Sequence, residues 1–193
     1  MKRNKSFMSV RQMCMVGMLA ALMVVLQISG LGMINRGIIH LTLHCVVIVV
    51  GTMTCGLLGG TILSVVFGLL SFWTAITAPS AMVMVIVQHS ILATFILCVV
   101  PRACIAPMTW LAYRLLSKAN QHVSACVSAV VGSLTNTVFY LSCMLLIYVL
   151  LGEYYAGFVA ALAGIVASNG IIEAVLAGIV STPIVYAVNK LKH

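Results

Sequence analysis

Eight polar side chains stand where apolar helices would not ordinarily carry them. His40 and His44 are four residues apart, the spacing that places two side chains on one helix face. Gln88 and His89 are adjacent near the start of a later apolar run, and Asn136 and Tyr140 repeat the four-residue spacing. Asn169 precedes Glu173 by the same interval. Imidazole, amide and phenol groups suit hydrogen bonding to a small polar solute better than bond cleavage. The chain has no paired-carboxylate set, no GxSxG and no phosphate-binding glycine loop. Its two acidic residues, Glu153 and Glu173, are too few for a metal-assisted phosphoryl enzyme. Enzymatic function is not expected, and neither a catalytic residue nor a resident metal is assigned.

The elements that must position these groups follow from composition. Of 193 residues, 63% are hydrophobic and 6% charged, against about a quarter charged in a soluble domain. The chain reads as an all-α integral membrane protein, with lipid as its main solvent. At ~20 residues per crossing it has room for about six transmembrane helices in a single domain, 1–193. The apolar runs place them at roughly 10–31, 37–55, 57–74, 83–104, 122–151 and 157–189. The first run is too long for a signal-peptide core, so it reads as a retained helix. Cys55-Gly56, between spans two and three, has no polar loop and implies a tight turn or a broken helix. Gly51, Gly56, Gly59, Gly60 and Gly68 would permit close backbone approach there. Residues 74–82 read as an external loop able to cover a pocket. The basic, aromatic stretch from Ile105 to Lys118 reads as a helix lying at the cytoplasmic interface.

The cations are clustered. Lys2, Arg3, Lys5 and Arg11 precede the first span, Arg102, Arg114 and Lys118 end or follow the fourth, and Lys190 and Lys192 close the chain. Cytoplasmic loops collect Lys and Arg, so both termini and segment 102–122 are expected inside, with Arg102 open to two readings, a topology anchor or a contact to a partner protein. The net charge of +8 is then topological, and no nucleic-acid partner is expected. The seven cysteines show no CxxC or metal-type spacing and read as small hydrophobes. No internal duplication stands out, unlike many self-sufficient secondary transporters.

In this topology, counting inward at about 1.5 Å per residue, His44 and His89 lie ~10 and ~9 Å from the outer surface. On the same count Asn169 and Asn136 lie ~18 and ~21 Å deep. The polar set thus runs from the outer half to the midplane on four helices, as a pocket open to the outside requires. Any one of these groups could instead simply bond a neighbouring helix. Glu173 is open to two readings, helix–helix hydrogen bonding and proton coupling. The three histidines His40, His44 and His89 leave a rival open, a small metal-ion carrier or channel with imidazole ligands.

The run IHLTLHCVVIVVGTMTCGLLGGTILSVVFGLLSFW, residues 39–73, resembles helices two and three of the substrate-binding S components of energy-coupling factor (ECF) vitamin transporters. The Pro101-Arg102 step, GSLTNT at 132–137 and ASNGIIEAVLAGIVSTPIV at 167–185 are similar to the same family in the same order. The resemblance is nearest to the pantothenate-type branch. It implies a six-helix S-component bundle in a bacterial cell membrane that captures a vitamin from outside. Pantothenate is favoured, with folate and pyridoxine-type ligands as alternatives. His40, His44, Gln88, His89, Asn136, Tyr140 and Asn169 would line the pocket. It also implies docking on a transmembrane coupling protein that works with two ABC ATPases, through small residues of helix one. The matching piece here is Gly17-Met18-Leu19-Ala20-Ala21, with Gly17, Ala20 and Ala21 as the docking residues. This chain would then need no cofactor, ATP being hydrolysed by the partners, and the whole body would topple to release its cargo.

Overall fold

The computed structural model describes residues 8–29, 33–36, 39–116, 120–152, 164 and 170–190. Helix α1 (Val10–Ile28) opens with a capping box in which the Ser9 hydroxyl accepts from the Gln12 backbone N–H and the Gln12 side chain accepts from the Ser9 N–H. Two short strands follow, β1 (Met33–Arg36) and β2 (Ile39–Thr42), antiparallel with Asn35 opposite His40. Helix α2 (Leu43–Thr77) comes next, then α3 (Ala81–His89), α4 (Ile91–Ala103), α5 (Ile105–Leu115), α6 (Gln121–Leu151) and α7 (Ile171–Lys190). Among the described residues, five helical stretches are long and apolar enough to cross a membrane: 10–28, 43–77, 91–115, 121–151 and 171–188.

Helix α2 is the centre of the fold and is bent at Gly56, whose φ of 82° and ψ of −176° lie outside the helical region. A side chain is rarely accommodated at such a φ. The two legs fold back on each other: a Cβ on Gly60 would lie 3.0 Å from the Thr52 Cα, and one on Gly51 would collide with Leu63. This is the broken-helix form of the Cys55-Gly56 junction expected from the sequence. The inner leg buries nearly every side chain against α1, α5, α6 and α7. The outer leg turns Leu58, Ile62, Val65, Leu69, Trp73 and Ile76 outward. That spacing of three and four is one helix face, and its apolar character suits contact with lipid.

Three boundaries and one packing arrangement differ from those read in the sequence. Span two was expected to be helical from residue 37, but 39–42 is a strand and the helix begins at Leu43. Ile34, Ile39 and Thr42 are β-branched and Gly37 disfavours a helix across the stretch. The external loop expected at 74–82 shrinks to residues 78–80 between α2 and α3, too short to cover a pocket. Thr74 and Thr77 stay helical by donating their hydroxyls to the carbonyls of Leu70 and Trp73. Span four is broken at Ser90, which adopts extended φ/ψ and whose hydroxyl accepts from the Ala93 N–H as the N-cap of α4. Lastly, α5 is packed rather than peripheral, with Ile105, Ala106 and Thr109 fully buried against α2 and α6. Of the sixth expected span, 157–189, residues 164 and 170–189 are described.

Candidate substrate-binding site

Most polar side chains within the helices are satisfied locally. The hydroxyls of Thr52, Thr54, Ser128, Thr135 and Thr182 donate to the carbonyl four residues earlier, a bond that removes the cost of placing them in an apolar medium. A smaller group is not accounted for in this way, spread over Gln27, Ser64, Arg102, Thr109, Ser133, Asn136 and Ser181 among the described residues.

Arg102 is the charged member of this group. The sequence assigned this residue to the cytoplasmic charge cluster, but the structure buries it, leaving 7% of its surface exposed. The cause is local. Pro101 has no N–H, so the carbonyl of Leu97, four residues earlier, loses its helical donor. The Arg102 Nη1 donates to that oxygen at 3.1 Å, which draws the side chain back along α4 and into the bundle. Its guanidinium carbon lies 4.2 Å from the Tyr140 ring centre and 5.4 Å from that of Phe67. Both are within the range of cation–π attraction. The Arg102 Nε has no hydrogen-bond partner among the described residues. A charge taken out of water is costly unless paired and hydrogen-bonded. The arginine is thus held in place with donor capacity still unused.

Asn136 lies one turn before Tyr140 on α6, is buried, and its Oδ1 has no partner among the described residues. The packing fixes what lies beside it. A Cβ on Gly132 would approach Val49 at 3.0 Å, and one on Gly170 would approach Thr137 at 3.3 Å. From these registers, at about 1.5 Å per residue, Cys45 of α2 and Glu173 of α7 fall at the level of Asn136. Carboxyl and amide thus share one level of the bundle, and the phenol of Tyr140, with the guanidinium over it, lies one turn further along α6.

The other residues expected to line the pocket fare differently. His44 is fully buried, its ring stacked on Phe67 at 5.0 Å and 11° and its Nε2 3.2 Å from the Met23 carbonyl oxygen. Gln88 and His89 are exposed in the last turn of α3. His40 sits on β2, so it does not share a helix face with His44. Asn169 lies outside the described residues. Among those described, no three His, Cys, Asp or Glu side chains come together as a metal site. Sequence reasoning missed Phe67 and the inward turn of Arg102; the signal for the latter was Pro101, which frees an acceptor immediately upstream.

On α1, Gly17 and Ala21 are exposed, Ala20 is half-buried, and a Cβ at Gly17 would meet nothing within 4 Å. The helix is pinned to α2 by Gln12 Nε2 donating to the Cys55 carbonyl (3.3 Å) and Gln27 Nε2 donating to the Thr74 hydroxyl (2.7 Å).

Comparison with known proteins agrees with this architecture. Residues 11–185 match the family described as ECF transporter, substrate-specific component. The chain is also similar to the pantothenic acid transporter PanT of Lactococcus lactis subsp. cremoris (strain MG1363), with 26% identity over 203 aligned positions covering 100% of this chain and 99% of the relative. Both are transporters rather than enzymes, and the long apolar helices suit a membrane location. With a family match over residues 11–185, most of its length, this chain belongs to the substrate-specific components of ECF transporters.

Proposed function

We propose that this chain captures pantothenate from outside the cell and hands it on within a complex of a transmembrane coupling protein and two ABC ATPases. The observation that carries the choice of substrate is the buried Arg102, whose guanidinium retains an unpartnered Nε among the described residues. A buried cation with spare donors suits a small carboxylate, because a charge-assisted bond offsets the desolvation of both groups. Asn136 and Tyr140 then suit the amide and hydroxyls of the same molecule, and full-length similarity to a pantothenic acid transporter supports this assignment. A bulky aromatic vitamin would want stacking surface, yet Phe67 and Tyr140 are already engaged by the arginine. Gly17, Ala20 and Ala21 would meet the coupling protein.

Cells expressing the chain alone test this reading against a self-contained carrier. Labelled pantothenate should bind to their membranes but accumulate inside only when the coupling protein and ATPases are co-expressed. Accumulation by the chain alone would contradict it.

A further inference from the structure

Arg102 ends a continuous chain of stacked groups. Its guanidinium lies over Tyr140 of α6 and over Phe67 of the outer leg of α2, and Phe67 in turn stacks on His44 of the inner leg, nearly parallel at 11°. The far end is anchored in a third helix, since His44 Nε2 donates to the Met23 carbonyl of α1. Phe67 is 1% and His44 0% exposed. An apolar side chain would fill that space without the desolvation cost of an imidazole. What the imidazole adds is a directional bond that fixes its ring plane. That plane sets Phe67, and Phe67 is one of the two rings over which the guanidinium rests.

We propose that His44 is a positioning residue for anion recognition. It does not touch the substrate; through Phe67 it holds the Arg102 guanidinium in the orientation a carboxylate needs. The inference rests on the reading that Arg102 takes the substrate carboxylate. It follows that His44 acts on discrimination for the carboxylate rather than on binding as a whole. The ring supplies the stack and its bond to Met23 fixes the plane, so phenylalanine should substitute in part and alanine not at all.

The test compares the affinity of the purified chain for pantothenate with that for pantothenyl alcohol, in which CH2OH replaces the carboxylate. The wild-type chain should prefer the acid by about 100-fold, as for a buried charge pair, and Arg102→Gln should abolish the preference. His44→Ala should cut it by about 10-fold, while His44→Phe should keep it within about 3-fold, since the ring contact survives. Phe67→Leu, which retains volume without a ring, should behave like His44→Ala and serves where that variant folds poorly. If His44→Phe loses the preference as fully as His44→Ala, the stack on Phe67 contributes nothing to the orientation of Arg102 and the proposal is wrong. It is equally wrong if His44→Ala and Phe67→Leu keep the wild-type preference. If the wild-type chain binds acid and alcohol alike and Arg102→Gln changes nothing, the carboxylate reading fails first and takes the proposal with it.

Discussion

The guanidinium carbon of Arg102 lies 4.2 Å from the centre of the Tyr140 ring, joining the end of α4 to the middle of α6 inside the bundle. A charge at this place is maintained by the Leu97 carbonyl and two aromatic rings, with no carboxylate needed to hold the side chain. The arginine is thus preorganised, and preorganisation lowers the ordering cost that binding must otherwise meet.

Arg102→Gln should weaken pantothenate binding by about 3 kcal/mol, roughly the loss on truncating one member of a buried charge pair. Arg102→Lys should recover only part of this, because an ammonium keeps the charge but lacks the planar fork and its stacking. Equilibrium binding to the two purified variants checks both; wild-type affinity in Arg102→Gln would remove the arginine from the site.

Asn136→Ala should reduce affinity by about 1–2 kcal/mol, as expected when a ligand group loses its hydrogen-bond partner. Thermal stability should change little, because the Oδ1 makes no hydrogen bond among the described residues. A large fall in melting temperature with unchanged binding would make Asn136 a structural residue.

Gly60→Val should destabilise the protein by about 1–3 kcal/mol through overpacking, because the added Cβ would lie 3.0 Å from the Thr52 backbone. The melting temperature in detergent measures this. A neutral result would mean that the two legs of α2 separate more easily than their packing implies.

Gly17→Leu should leave pantothenate affinity of the isolated chain within about 2-fold, since surface substitutions away from a site are nearly neutral and nothing lies within 4 Å of the position. Uptake by the assembled complex should nevertheless be lost, because the larger side chain prevents close helix approach. Normal uptake would place the docking face elsewhere on the chain.

Much of the fold was legible from composition alone. Apolar run length located α1, α6 and the end of α7, and the glycine-rich junction at Cys55-Gly56 announced the bend in α2. Residues 33–42 were not legible, because a short apolar stretch reads equally as strand or helix by periodicity. The break at Ser90 was hidden because a single serine inside an apolar run serves as well for a helix interior as for a cap. In the candidate site, Asn136 and Tyr140 stood out in the sequence by their polarity and spacing. Arg102 was not, since counting cations toward topology assigns every arginine near a helix end to the cytoplasm. Only the missing N–H of Pro101 pointed inward. His44 was found, but its stack on Phe67 depends on the fold of α2 back on itself, a tertiary contact that sequence spacing does not encode.

The most direct test is isothermal calorimetry of the purified full chain against pantothenate, with folate, pyridoxine and zinc titrated in parallel. Tight one-to-one binding of pantothenate, weakened about 100-fold by Arg102→Gln and indifferent to zinc, is the predicted result. No heat from pantothenate, with zinc binding lost when His40 and His44 are replaced, would contradict the capture of a vitamin anion and make the protein a metal carrier.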